Sequence, residues 1–245
     1  MLTVRNSVRL LTVAAALQLF TVNAVAQESA YADLDACTRS EQIKLTAKGA
    51  LAGALAGFSG AFLTGNREKA GKAALAGALG GGAIGLATAF YTAIETCKKL
   101  NPGWITESTL VRDTGRTYAQ VKKEHQYVPK QGVVLRMHDM TMSGETRPGS
   151  EVAIGTYYDV MTPDGAETPV VLSRKLYVIA DGNEKAVPFP MAELATRTVE
   201  AGRNKESLNL PIPADAKPGT EYRVELSAAA GDQAAESLSR TVKVI

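Results

Sequence analysis

The sequence predicts an α+β protein built as separate domains, a transmembrane helical hairpin followed by an antiparallel β-sandwich. Three observations lead there. Residues 1–26 read as an export leader, two long uncharged stretches flank one short charged loop, and from Gly132 the hydrophobic period changes from helical to two. The expected division is a leader at 1–26, the hairpin at 27–100, a linker with a short helix at 101–130 and the sandwich at 131–245.

The leader is read from its charge and its apolar run. Arg5 and Arg9 precede the stretch from Leu10 to Val22, which only Thr12, Gln18 and Thr21 interrupt, and Ala24-Val25-Ala26 supplies small residues for cleavage before Gln27. The alternative is an N-terminal anchor, for which the stretch is short. Leu34-Asp35-Ala36-Cys37 superficially resembles a lipidation box, but the polar residues between Tyr31 and Asp35 argue against that reading. The chain carries 27 Lys and Arg against 25 Asp and Glu, and Arg5 and Arg9 account for the excess. The chain beyond the leader is electrically balanced, which argues against nucleic acid as a partner.

The hairpin rests on two uncharged stretches, Gly49 to Asn66 and Ala73 to Ile94, separated by Arg67-Glu68-Lys69-Ala70-Gly71-Lys72. Each is about the 20 residues that a helix needs to cross a bilayer, and neither has a polar face. Glycine weakens a helix by up to about 1 kcal/mol against alanine, so its density calls for a reason. Gly49, Gly53 and Gly57 in the first stretch and Gly77, Gly81 and Gly85 in the second both follow GxxxGxxxG, the spacing that lets two helix backbones approach closely. Gly49 and Gly85, Gly53 and Gly81, and Gly57 and Gly77 are each equidistant from Arg67 and would lie level in an antiparallel hairpin.

Cys37 and Cys97, the two cysteines of the chain, are equidistant from Arg67 as well. In an oxidising compartment such a pair predicts a disulfide, contributing about 4 kcal/mol for a loop of this length. A metal site or a reactive thiol is the alternative, and His125 and His138, both distant in sequence, make a poor ligand set. If the membrane is an inner one, the basic loop at Arg67, Lys69 and Lys72 faces the cytoplasm, although Lys44, Lys48, Lys98 and Lys99 flank the other side.

Over residues 45–95 the paired glycine runs around a charged turn resemble the bacterial glycine-zipper two-helix envelope proteins. The resemblance implies membrane insertion, oligomerisation through the glycine faces, and a role in envelope integrity or in organising other membrane proteins. The expected partners are therefore membrane lipid, further copies of the chain and other envelope proteins, with the C-terminal domain in the periplasm.

Asn101-Pro102-Gly103 ends the hairpin, and Trp104 comes next, where either a membrane-interface aromatic or simple packing would place it. Residues 113–126 read as a short polar helix or connector. Alternation then appears at Val152, Ile154, Tyr158 and Val160, at Val170, Leu172, Leu176 and Val178, and at Tyr222, Val224 and Leu226. Turn signals punctuate it at Pro148-Gly149, Pro163-Asp164-Gly165, Asp181-Gly182-Asn183, Lys217-Pro218-Gly219 and Gly231-Asp232. Seven or eight strands are expected, in an antiparallel sandwich. The segment from Leu210 to Tyr222 resembles the entry to a late strand of bacterial immunoglobulin-like envelope domains, so the sandwich is expected to be immunoglobulin-like.

No GxSxG, HExxH or CxxC is present, and the hairpin glycines, which lack a preceding strand and lie at helical spacing, do not read as a nucleotide-binding loop. His125 and His138 read as ordinary packed or surface histidines, and Glu145, Glu151, Asp159 and Asp164 are scattered. The expectation is a non-enzymatic protein without cofactor or metal, acting as an envelope scaffold. The alternatives are a pore or a subunit of an envelope-spanning transport assembly, and a soluble binding module whose apolar hairpin is core.

Overall fold

The computed structural model describes residues 32–47, 82–104 and 108–245. The described chain is predominantly β. Helix α1 covers 34–47, α2 runs Ala83–Leu100, and α3 is a short helix at Tyr118–Glu124. Ten strands complete the description: β1 Thr109–Arg112, β2 Val134–Met142, β3 Glu145–Thr146, β4 Glu151–Met161, β5 Thr168–Ala180, β6 Asn183–Val187, β7 Leu194–Val199, β8 Gly202–Pro211, β9 Glu221–Ala230 and β10 Glu236–Val244.

One sheet has the order β1-β8-β4-β2, and the other β3-β10-β9-β5-β6 with β7 also pairing β5. Every pair is antiparallel except β10 with β3. The alternation in β5, β8 and β9 buries every second residue, as a strand with one face on a core must. Val152, Ile154, Leu208 and Leu210 of the first sheet meet Leu176, Val178, Tyr222, Val224 and Val242 of the second in one cluster. Leu135, Tyr158 and Val160 meet Val170, Leu172 and Ala228 in another. The β5–β6 hairpin turns on Asp181 and Gly182, both at positive φ, the two-residue turn that suits strand twist.

The expected architecture is corrected here. No helix among the described residues is long and apolar enough to cross a membrane. Helix α2 starts after Gly82, whose backbone is extended. Among the described residues only Ala83–Ile94 combines helix with the uncharged stretch, about 12 residues or roughly 18 Å, against ~30 Å of hydrocarbon. Nor is α2 a separate domain, because Ala87, Tyr91 and Ile94 are buried in the same cluster as the sheet residues. Tyr91 is fully buried, packs edge-to-face on Tyr222 with centroids 6.1 Å apart, and donates its hydroxyl to the Pro211 carbonyl at 2.8 Å. The apolar face that suggested a lipid-facing helix is covered by the sandwich itself.

The resemblance to two-helix glycine-zipper membrane proteins is set aside with it. Of its six glycines, Gly85 lies in the first turn of α2. Gly49, Gly53, Gly57, Gly77 and Gly81 lie outside the described residues, as does the leader. The region expected as a linker holds α3 and also strand β1, which pairs β8 from Thr109↔Ser207 to Arg112↔Asn204.

Candidate functional site

Cys37 of α1 and Cys97 of α2 form a disulfide, and both residues are fully buried. The bond holds α1 beside α2, and Gln42 Nε2 of α1 donates to Asp215 Oδ2 at 3.0 Å beyond the end of β8. A cleft of about 800 Å³ lies between these helices and the sandwich, with Ile43, Leu86, Phe90 and Ile212 among its apolar walls. Ile43 is 70% exposed.

A second site forms on the outer face of the first sheet, beneath α3. Helix α3 starts with a capping box in which the Thr117 hydroxyl accepts from Gln120 N, and the Gln120 side chain accepts from Thr117 N at 2.8 Å. Val121, Tyr127, Val134 and Met161 pack into a small cluster that seats the helix on the sheet. The helix ends at His125. Tyr127 N then donates to Lys122 O and Gln126 N to Lys123 O, with Gln126 at φ 50°. This is a Schellman ending with glutamine where glycine is usual.

Three strands and this helix end converge on Asp159 of β4, whose side chain is completely buried. Arg203 of β8 is its cross-strand partner. Arg203 Nε donates to Oδ1 and Nη2 to Oδ2, each at 2.9 Å. His138 arrives through a β-bulge: pairing with β4 shifts between Met137 and Asp139, leaving His138 as the extra residue. Met137 and Met140 both keep to the core side, so the bulge leaves His138 on the outer face with Asp159. His138 Nε2 and His125 Nε2 lie 2.5 and 2.7 Å from Asp159 Oδ2, with the two rings 5.3 Å apart. The His125 and His138 side chains are 19% and 27% exposed, which opens the cluster to solvent. Burial pushes the Asp159 carboxyl up, but hydrogen bonds from Arg203, His125 and His138 outweigh it and hold it down at about 2.

Sequence reasoning misses His125, His138 and Asp159 as a set. Their separations match no ligand spacing, and neither the bulge at His138 nor the register that sets Arg203 beside Asp159 is a local signal. Conversely, Gly85, the one zipper glycine among the described residues, takes part in neither site.

No family model and no curated protein matches the chain. Solved structures overlap it only distantly. A family 123 glycoside hydrolase from Clostridium perfringens is 12% identical over 46% of this chain and 27% of its own, with a TM-score of 0.33. The CARDB domain of the PF1109 protein from Pyrococcus furiosus, in complex with di-metal ions, is 11% identical over 46% of this chain and 94% of its own, with a TM-score of 0.32. The Pseudomonas fluorescens alkylpurine DNA glycosylase AlkC is 13% identical over 75% of this chain and 54% of its own, also at 0.32. The chain thus spans about a quarter of the hydrolase. Scores this low assign no class of protein and transfer no activity.

Proposed function

We propose that this is an exported, non-catalytic protein of the bacterial cell envelope, in which a disulfide-clamped helix pair and a β-sandwich make one body that contacts other envelope proteins. The observation that carries the reading is the buried Cys37–Cys97 disulfide. Such a bond persists in oxidising compartments and is rare where thiols are kept reduced. The leader-like composition of residues 1–26 supports the same destination.

The non-catalytic part rests on the side chains that converge. Among the described residues, the hydrogen bonds of His125 and His138 run to Asp159 and Arg203, and neither ring reaches a serine, threonine or cysteine to activate. Both cysteines are consumed by the disulfide. The apolar cleft beside Ile43 and Phe90 supplies the area through which an envelope protein would bind.

The test is fractionation of cells expressing the full chain, with thiols alkylated at lysis. The expected result is protein outside the cytoplasm that takes up no maleimide until it is reduced. Cytoplasmic protein with two reactive thiols would overturn the reading.

A further inference from the structure

We propose that His125 Nε2, His138 Nε2 and Asp159 Oδ2 form the binding site of one divalent transition-metal ion, with zinc the ion the donor set suits best. These residues come from the end of α3, the bulge of β2 and the C-terminal part of β4, and each offers a ligand atom within 4.8 Å of the others. Residues this far apart in sequence are brought together only by the fold. Two imidazoles and a carboxylate are the donors zinc prefers when thiolates are absent.

Protons alone satisfy the cluster poorly. His138 Nε2 lies 2.5 Å from Asp159 Oδ2 and 2.7 Å from Arg203 Nη2. One ring nitrogen donates to the carboxylate or accepts from the guanidinium, but it cannot do both. Oδ2 meanwhile faces three nitrogens, those of His125, His138 and Arg203. A cation at their meeting point takes the lone pairs of both imidazoles and of Oδ2 at once.

The surroundings can accommodate that exchange. Asp159 Oδ1 keeps its bond from Arg203 Nε. Arg203 Nη2 has a second carboxylate at hand, 3.5 Å away on Glu124, which Arg116 also holds at 2.6 Å. In a tetrahedral site with bonds of about 2.1 Å the ligand atoms stand roughly 3.4 Å apart, so His125 and His138, now 2.7 and 2.5 Å from Asp159 Oδ2, retreat by roughly 0.7 and 0.9 Å. One sits at a helix end and the other on a bulge, the places where a backbone yields most readily. Their partial exposure admits the ion. The bound ion would staple α3 to the sheet, joining by metal what Val121 and Tyr127 join by packing.

The experiment is calorimetric titration of the purified, chelator-stripped chain with zinc chloride. One ion per chain, a micromolar or tighter Kd and a thermal midpoint that rises with zinc are expected. His138→Gln should weaken binding at least about tenfold, and His125→Gln with His138→Gln should abolish it. Both variants keep the Asp159–Arg203 pair, and an unchanged circular dichroism spectrum shows that they fold. Cobalt provides an independent readout, with visible d–d bands in the wild type that are missing from the double variant. A wild type without saturable binding below about 100 μM, or a double variant that binds like the wild type, would overturn the site. Neither result depends on the compartment in which the protein resides.

Discussion

Two arginine–carboxylate clusters occupy opposite surroundings in this protein. Arg174 of β5 and Glu206 of β8 meet between the sheets, with side chains 2% and 3% exposed. Arg174 also donates to the Ala192 carbonyl at 2.8 Å and to the Ser108 hydroxyl at 3.0 Å. The pair stands between the cluster around Leu176 and Leu208 and the one around Val170 and Leu172. Nearby, burial and the Glu206 charge push the Tyr158 hydroxyl well up, against the smaller influence of Arg174. Asp159 and Arg203 use the same chemistry on the outer face, but two histidines crowd the carboxylate and solvent reaches both rings. The first cluster is closed, with charge answered by charge out of water. The second has more nitrogen ligands than its protons can arrange, and it is open. Burial makes the former a stability element, whereas convergence and access make the latter a candidate for an ion.

The largest expected effect comes from breaking the closed pair. Glu206→Ala leaves the Arg174 guanidinium buried without its partner and should cost about 3–5 kcal/mol, measured by urea unfolding. Arg174→Leu combined with Glu206→Leu should recover most of that loss, since a buried pair replaced by apolar groups is often nearly neutral. A single variant costing under about 1 kcal/mol would erase the contrast. Asp159→Asn, with chelator present, should cost about 2 kcal/mol, because Arg203 loses a charged acceptor but retains Glu124 and solvent. A cost above that of Glu206→Ala would reverse the comparison.

Two smaller changes sharpen it. Gln126→Gly removes a side chain from a left-handed position directly after His125, and should stabilise by about 0.5–1 kcal/mol without altering zinc affinity. Lys98 is a cation whose ammonium burial lowers to about 8. Its folded value lies below its unfolded one, so between about pH 8 and 10.5 the unfolded chain binds more protons and stability rises with pH. Lys98→Gln should flatten that rise by about 1–2 °C in thermal midpoint, a small effect because the amine is half-exposed. Above pH 10 the buried Tyr91, Tyr158 and Tyr222 hydroxyls, all raised by burial, act in the opposite sense in both proteins.

Much of the β architecture is legible because its causes are local. The alternation at Val170, Leu172, Leu176 and Val178 marks the inward face of β5, and Asp181-Gly182 closes its hairpin with residues that tolerate positive φ. The same alternation passes over Arg174 and Glu206, inward positions whose charge disguises them. Strands β1 and β3 are too short, at 4 and 2 residues, to show a period at all. Nothing in the spacing of His125, His138 and Asp159 announces a cluster, since a bulge in one strand and the register of another create it.

By itself, then, the sequence determined the turns, the strand faces and, with two cysteines in the chain, the one intramolecular disulfide available. Tertiary structure alone decided what covers α2 and what meets at Asp159. An apolar helix face specifies that water must leave, but not whether lipid or the chain's own Tyr222 and Leu176 will replace it. Likewise a histidine's role depends on which groups lie within about 3 Å of its nitrogens, and strand pairing sets that distance where sequence separation does not.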